Sequence, residues 1–174
     1  MRQSFGTSIA QAGLIGALAA GLCGCQSLRD WQARRKFQPK YVVSVHLLAR
    51  PGVDEGRLIR RVAGLDGGRE VRVRHVPVLS TYGFPAAEPV VEGETATAIA
   101  FTLDGHGRMA WMQTTAEHPG EEVAVLVDGF FRFLWRLPGA SEGDRLVIRG
   151  PWDRREAELI AEYTPANYDR LHSR

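Results

Sequence analysis

The stretch GEEVAVLVDGFFRFLWRLPGASEGDRLVIRGPWDRREAELIA, residues 120–161, carries in unbroken order the signals for a hairpin, a third strand and a capped helix. Val123, Val125 and Val127 alternate with Ala124 and Leu126, which is the side-chain period of a β-strand. The pair Asp-Gly at 128–129 follows and indicates a two-residue type I′ turn, because both central positions of that turn need φ > 0. A β-hairpin is therefore expected at the centre of the fold.

The returning strand of this hairpin is predicted to present two different faces. One face is assigned to the core and carries Phe131, Phe133, Trp135 and Leu137. The other face places apolar side chains between arginines, an arrangement suited to contact with a partner. This candidate contact surface consists of Phe130, Arg132, Leu134 and Arg136.

The end of the same stretch predicts a strand and then a helix. Residues 146–149 have strand character, and Gly150-Pro151 ends them. Asp153 is suited to cap a helix N-terminus, and Glu156 three positions later completes a capping-box pattern. The apolar positions of the helix are Ala157, Leu159, Ile160 and Ala161.

The residues before this stretch predict further strands and helices. The expected order is a strand at 41–48, a short helix at 55–63, a strand at 70–78, an ordered loop at 80–93, a strand at 95–103 and a helix at 107–117. Residues 164–174 are predicted to be a polar C-terminal tail, with Tyr168 and Leu171 available to pack back. This order favours an α+β domain over residues 41–163: a two-layer sandwich with a ferredoxin-like mixed sheet and helices on one face.

The N-terminus resembles a bacterial lipoprotein signal. Residues 9–22 are apolar, and this length suits a signal peptide and is too short to span a bilayer. Leu22-Cys23-Gly24-Cys25 is similar to a lipobox, so residues 1–24 are predicted to be a cleaved signal and Cys25 the lipidated residue. An ordinary secretory signal and a Cys-x-Cys metal or redox pair are the alternatives.

Lipidation would simplify the chemistry of the mature chain. Cys23 would leave with the signal and Cys25 would carry lipid, so no free thiol or disulfide would remain. Several acyl chains give stable anchoring, and Gln26 in place of aspartate indicates the outer membrane, facing the periplasm. Residues 25–40 are predicted to be a tether, either a solvated linker or a basic segment resting on anionic headgroups.

Composition and motif spacing give no sign of catalysis. The formal charge of +2 falls to +1 without Arg2, the one charged residue of the signal, which argues against a nucleic-acid partner. The five histidines show no i, i+4 metal spacing, and no serine lies in a nucleophile elbow. Glu121-Glu122 is interpreted as a solvated pair. Catalytic residues, cofactors and metals are therefore all predicted to be absent.

Arginines between 57 and 74 allow two interpretations. They form either an ordinary charged surface or a face that binds an anionic ligand or lipid headgroup. The arginines concerned are Arg57, Arg60, Arg61, Arg69, Arg72 and Arg74.

Residues 95–161 resemble the head subdomain of the first periplasmic domain of SecD, a subunit of the protein-export translocase. Leu103 and Gly107 stand where that family opens a helix, and Thr114 lies late in it. Residues 120–129, GEEVAVLVDG, match the family's strand and turn, and 148–161 run in register with its last strand and helix. Trp152 replaces a phenylalanine of the family pattern and Asp153 a capping threonine.

The resemblance implies a fold and a binding surface. The SecD family continues into transmembrane helices that use the proton-motive force, which this sequence lacks, so transport is not expected. The expectation is a non-enzymatic, lipid-anchored envelope protein whose periplasmic domain binds a polypeptide or protein partner, with a role accessory to export. The alternative is a structural envelope lipoprotein without a polypeptide client.

Overall fold

The computed structural model describes residues 38–173, apart from 53, 55–57, 66, 93–94 and 140–142. The predicted signal peptide, Cys25 and most of the predicted tether lie outside these residues. Within them the elements are β1 (Val43–Leu47), β2 (Ile59–Ala63), β3 (Glu70–Arg74), β4 (Leu79–Ser80), a 3₁₀ turn (Thr81–Gly83), β5 (Ala86–Glu92), β6 (Thr95–Thr102), α1 (Gly105–Glu117), β7 (Glu122–Val127), β8 (Phe130–Arg136), β9 (Arg145–Arg149) and α2 (Arg154–His172).

The strands form three antiparallel groups. A four-stranded sheet has the order β4-β1-β7-β8, and a three-stranded sheet has the order β5-β6-β9. Strands β2 and β3 form a separate hairpin, which joins the four-stranded sheet through single bridges at Leu48–Val73 and Gly64–Phe131. Mixed strand and helix content with sheets and helices packed in layers confirms the predicted α+β sandwich, and the paired ladders of the described strands are antiparallel.

Two hydrophobic clusters lie on opposite faces of the four-stranded sheet. The larger is formed by one face of β1 and β7, by the three-stranded sheet and by both helices, which contribute Trp111, Ala157 and Ile160. The smaller lies under the β2–β3 hairpin, where Val62, Val71 and Val73 meet Ala124, Leu126 and Phe131. Burial on both faces explains why β7 is an almost continuous apolar run.

The turn between β7 and β8 has the predicted left-handed backbone. Asp128 has φ 50° and Gly129 has φ 84°, which confirms the type I′ expectation. The Asp128 carboxylate also accepts hydrogen bonds from the backbone N–H groups of Tyr41 at 3.0 Å and Val42 at 2.9 Å. The turn therefore fixes the start of β1 as well as closing its own hairpin.

A β-bulge changes the predicted faces of β8. Val125 pairs with Phe133 and Leu126 with Phe131, so Arg132 is the extra residue. Paired residues share a face, and Phe131 consequently belongs to the smaller cluster while Phe133 and Trp135 pack on the larger one. The prediction that Phe131 shares a face with Phe133 and Trp135 was wrong, because one inserted residue reverses the alternation.

Two of the three predicted helices form, with limits that differ from those predicted. Helix α1 begins two residues early, because the Asp104 carboxylate accepts a hydrogen bond from Gly107 N at 2.7 Å and caps it. It buries Trp111, Thr114 and Thr115, whereas its apolar side chains Met109 and Met112 are 64% and 38% exposed. Neither helix in the described part of the chain is long and apolar enough to cross a membrane.

Helix α2 has the predicted cap and continues into the predicted tail. The Asp153 carboxylate accepts a hydrogen bond from Glu156 N at 3.1 Å. The helix runs through Pro165 to His172, so residues 164–172 are helical. Tyr168 packs back as expected, since its hydroxyl donates a hydrogen bond to Asp104 at 2.9 Å.

Three other element predictions need correction. Residues 59–63, expected in a helix, form β2, because pairing with β3 buries Val62 in the smaller cluster. The strand predicted at 70–78 ends at Arg74. Residues 86–92, expected in a loop, form β5, and Pro89 is tolerated there because β5 is an edge strand of its sheet.

Candidate functional site

A cleft of about 400 Å³ opens between the outer strands of the two larger sheets. Strand β8 is the edge of one sheet and contributes Trp135 and Arg136. Strand β9 is the edge of the other sheet. We call this the tryptophan cleft, and its lining residues are Trp111, Trp135, Arg136, Pro138, Arg145, Val147 and Arg149.

Two stacked indole rings form the apolar part of the cleft. Trp111 of α1 and Trp135 of β8 have ring centroids 6.0 Å apart and planes inclined by 14°. Trp111 is 2% exposed, whereas Trp135 is only partly buried. Trp135 is therefore the ring that an occupant would touch, with Trp111 as its rigid support.

Strand β9 places three side chains into the cleft, because every second side chain of a strand lies on the same face. Arg145, Val147 and Arg149 lie at every second position of β9, whereas Leu146 and Ile148 point into the larger cluster. The strand thus has one face in the core and one face in the cleft, and its free edge lies alongside.

The charge of the cleft is positive. Arg145 forms an ion pair with Glu88 of β5. Arg136 and Arg149 are exposed, and no carboxylate among residues that the structure describes lies within ion-pair distance of either. Two guanidinium groups are therefore available to an anionic side chain of an occupant.

The backbone edges beside the cleft are also available. Strand β8 pairs only with β7 over residues 133–136, and β9 pairs only with β6, within the described chain. Unpaired N–H and C=O groups on such edges accept an additional strand. The cleft combines these edges with aromatic surface and positive charge.

The lining residues carry no nucleophile or general acid–base group, since arginine stays protonated at all ordinary pH values. Across the described residues no group of three or more His, Cys, Asp or Glu side chains is arranged to hold a metal ion.

The predicted contact surface is divided among different surroundings. Arg136 lines the tryptophan cleft, and Phe130 is 49% exposed beside the hairpin turn. Arg132 forms an ion pair with Glu156 of α2 at 2.5 Å, and Leu134 packs against the smaller cluster. The β8 bulge causes this division, because it sends Phe130 and Leu134 to opposite faces of the sheet.

Sequence patterns alone do not identify most of the cleft residues as members of a binding site. They assign Trp135 wholly to the core, and they do not single out Trp111. The arginines of β9 do show a signal, since Arg145 and Arg149 alternate with buried Leu146 and Ile148. What no local pattern shows is that β9 and β8 lie at neighbouring edges.

The polar groups considered for chemistry have structural partners. His46 is 3% exposed, its Nδ1–H donates a hydrogen bond to the Arg74 carbonyl at 2.9 Å, and its Nε2 lies 3.1 Å from Ser44 Oγ. Burial lowers the pKa of His46, so the ring is neutral and Nε2 accepts from the serine.

Glu121 is ion-paired with Arg50 at 2.7 Å and lies 3.3 Å from His118 Nδ1. Burial would raise the pKa of this carboxyl, but the hydrogen bonds from Arg50 and His118 outweigh it and lower the pKa. Glu121 is thus a paired carboxylate at the start of β7, which suits a structural role.

The fold is similar to part of SecDF. Two solved structures, the super-membrane-facing form of SecDF and a structure of SecDF described as a membrane component that enhances protein export, each match with a TM-score of 0.52 and 14% identity. Each match covers 74% of this chain, and 19% and 63% of the respective SecDF chains. This likeness gives the domain a SecD-like fold, and the chain spans about a fifth of the first SecDF structure's length.

No protein-family model matches the chain, and no curated protein sequence matches it.

Proposed function

We propose that this chain is a non-enzymatic, lipid-anchored envelope protein that binds extended polypeptide segments in the tryptophan cleft, in a role accessory to protein export. The observation that carries the proposal is the cleft itself, in which two free strand edges flank a partly buried tryptophan and two unpaired arginines. The proposed occupant is an extended segment that carries apolar residues and at least one acidic side chain.

Each part of the cleft supplies one kind of contact to such a segment. The free edge of β9 or β8 would exchange backbone hydrogen bonds, which depend little on sequence. The Trp135 ring would cover an apolar side chain, and Arg149 or Arg136 would pair with a carboxylate. Because the segment loses conformational entropy on ordering, binding is expected to be weak.

The likeness to SecDF supports the link to export. SecDF is described as a membrane component that enhances protein export, and its match covers 74% of this α+β chain. A domain of this fold held at the membrane by an N-terminal lipid would meet polypeptides as they emerge.

The binding test uses the full chain in a non-ionic detergent and a fluorescent peptide of alternating apolar and glutamate residues. Fluorescence anisotropy is expected to show saturable binding in the micromolar range, about −7 to −8 kcal/mol. A peptide with lysine in place of glutamate should bind at least about tenfold more weakly, since the cleft is positive. A peptide N-methylated at alternate residues should lose binding, because it cannot add a strand.

Variants locate the binding site. Arg149→Glu reverses a charge in the cleft and should weaken binding of the glutamate peptide, while Arg72→Glu reverses an exposed charge on β3, outside the cleft, and should not. Equal affinity of all three peptides, or equal effects of the two variants, would refute cleft binding. No binding at high micromolar concentration would favour a structural envelope protein without a polypeptide client.

The lipid anchor is tested separately, by mass spectrometry of the mature N-terminus from bacterial cells. Acyl groups on an N-terminal Cys25 are expected, and Cys25→Ala should abolish them and release the protein from membranes. An unmodified Cys25 would remove the anchor from the proposal and leave the binding test unaffected.

A further inference from the structure

A second cavity lies on the other side of the four-stranded sheet from the larger cluster. Its volume is about 490 Å³, and it opens beside the β2–β3 hairpin and the β7–β8 turn. Ser44 and His46 of β1 form its floor, on the face opposite to Val43 and Val45. The remaining lining residues are Pro39, Val42, Arg60, His75, Pro77, Ser80, Tyr82, Asp128 and Gly129.

Arg60 supplies the guanidinium group of this cavity, and it has no hydrogen-bond or ion-pair partner among the described residues. Its Nε atom is buried and makes no hydrogen bond, and no carboxylate in the described chain lies within ion-pair distance of its guanidinium. The neighbouring arginines differ, since Arg61 pairs with Glu70 at 3.6 Å and Arg74 with Asp54 at 3.0 Å. A partly buried guanidinium without an acceptor is costly, and an anion supplied from outside would satisfy it.

The other polar groups of the cavity leave hydrogen-bond donors in excess. His75, Ser80 and Tyr82 line the cavity, and their side chains make no hydrogen bond to another described residue. The one carboxylate, Asp128, already accepts hydrogen bonds from Tyr41 N and Val42 N. His46 and Ser44 bond to each other, so neither competes for a ligand.

The electrostatic effect on His46 is consistent with a positive cavity. Burial lowers the pKa of His46 most strongly, the hydrogen bond to the Arg74 carbonyl raises it, and proximity to Arg60 and His75 lowers it further. The cavity also has apolar walls from Pro39, Val42 and Pro77. Its volume far exceeds that of a bare oxyanion.

We propose that this cavity binds a phosphate group carried on a small apolar body, with Arg60 as the charged contact and Ser80, His75 and Tyr82 as further donors. A phosphate offers three acceptor oxygens and close to two negative charges at neutral pH, which suits several donors around one guanidinium. The apolar body would lie against the proline and valine walls. This chemistry fits a soluble phosphate ester and a lipid headgroup with its first carbons equally well.

The proposal does not rest on the proposed polypeptide binding. The cavity and the tryptophan cleft share no lining residue, and they lie against different strands. Each can therefore fail while the other stands.

The test is calorimetric titration of the full chain, in a non-ionic detergent, at low ionic strength. Benzyl phosphate represents soluble phosphate esters, and dibutyryl phosphatidic acid represents a lipid headgroup. Benzyl alcohol and inorganic phosphate separate the contributions of the charge and of the apolar body. At least one of the two phosphate esters should bind with a dissociation constant below about 1 mM, and benzyl alcohol and inorganic phosphate should each bind about tenfold more weakly.

The matched variants are Arg60→Gln and Arg72→Gln, which remove the same charge from facing strands of one hairpin. Arg60→Gln should weaken binding about tenfold or more, as expected for a charge-assisted hydrogen bond, and Arg60→Lys should recover part of the affinity. Arg72→Gln should leave affinity within about twofold, and circular dichroism shows whether each variant is folded.

The relative affinity of the two esters decides the source of the phosphate. Tighter binding of dibutyryl phosphatidic acid would assign the cavity to a lipid headgroup, and tighter binding of benzyl phosphate would assign it to a soluble ester. The proposal is overturned if neither ester binds below about 1 mM. Equal losses from Arg60→Gln and Arg72→Gln, with both variants folded, would also overturn it.

Discussion

Close packing around the α-carbon accounts for two glycines, Gly107 and Gly150. A β-carbon on Gly107 would lie 2.5 Å from the carbonyl oxygen of Gly83, and one on Gly150 would lie 2.2 Å from the Phe133 ring. Both glycines belong to the segments that resemble SecD. Glycine is needed at both positions because there is no room for a side chain. Helix α1 passes against Gly83 of the 3₁₀ turn, and the chain after β9 passes against Phe133 of β8.

Gly107→Ala is expected to lower the free energy of unfolding by about 1–3 kcal/mol, since overpacked atoms force the backbone to shift. Gly105→Ala is the matched control in the same helical turn, because a β-carbon there meets open space. Its stability should be unchanged or slightly raised, as alanine favours helix. Urea unfolding of the three proteins measures both effects, and equal stabilities of the two variants would contradict this packing argument.

Gly129→Val is expected to destabilise the domain by more than about 1 kcal/mol, since a β-branched residue at φ 84° is strained. Gly139→Val is the control, because Gly139 has no left-handed φ and a β-carbon added there would meet no atom within 4 Å. Thermal unfolding followed by circular dichroism compares them. A parent-like melting temperature for Gly129→Val would show that the turn tolerates the strain.

Among the elements, the edge strand β8 and the helix α2 differ most from the structures that their local sequence predicts. One inserted residue in β8 distributes its aromatic side chains over both clusters and leaves Arg132 to pair with Glu156 of α2. Helix α2 continues beyond Pro165 because Thr164 and Asn167, both fully buried, hold it to the domain. Packing thus outweighs the local cost of the proline.

Two substitutions near the C-terminal end of α2 are expected to change the stability of the domain in opposite directions. Asn167 Nδ2 donates a hydrogen bond to the Lys40 carbonyl at 2.8 Å, so Asn167→Ala should cost about 1–3 kcal/mol. Pro165 is exposed and denies the Ala161 carbonyl its helical donor, so Pro165→Ala should raise stability by about 1 kcal/mol or more. Chemical denaturation measures both, and destabilisation by Pro165→Ala would indicate that the proline has a packing role.

For the whole molecule, the four-stranded sheet separates an apolar core from a positively charged cavity, and His46 lies at that boundary. Its ring is buried on the cavity side, and burial lowers its pKa. As the pH falls through about 6.5, the unfolded chain takes up a proton at this histidine and the folded chain does not. Acid therefore favours the unfolded state below that pH.

His46→Gln should flatten the decline of stability between about pH 6.5 and 5, where one proton accounts for at most about 1.4 kcal/mol per pH unit. His106→Gln removes an exposed histidine from α1 and serves as the control. Urea unfolding at half-unit pH steps measures the slope for each protein. Parallel slopes in the parent and His46→Gln would show that another group causes the acid sensitivity.

Features that depend on neighbours along the chain are predictable from the sequence. The alternation of Val123, Val125 and Val127, the turn at Asp128-Gly129 and the cap at Asp153 each predict a structure that forms. The α+β class follows from the order of these segments. Such signals are readable because strand period, left-handed turns and helix capping act over a few residues.

Features that depend on contacts between distant segments appear only in the folded structure. Residues 59–63 and 86–92 became strands because partner strands were available, and the bulge in β8 reversed one face. The tryptophan cleft and the second cavity, which contains Arg60, are each lined by residues from separate elements. Local sequence does not specify which edges and faces meet, because that choice is made by burial of the whole chain.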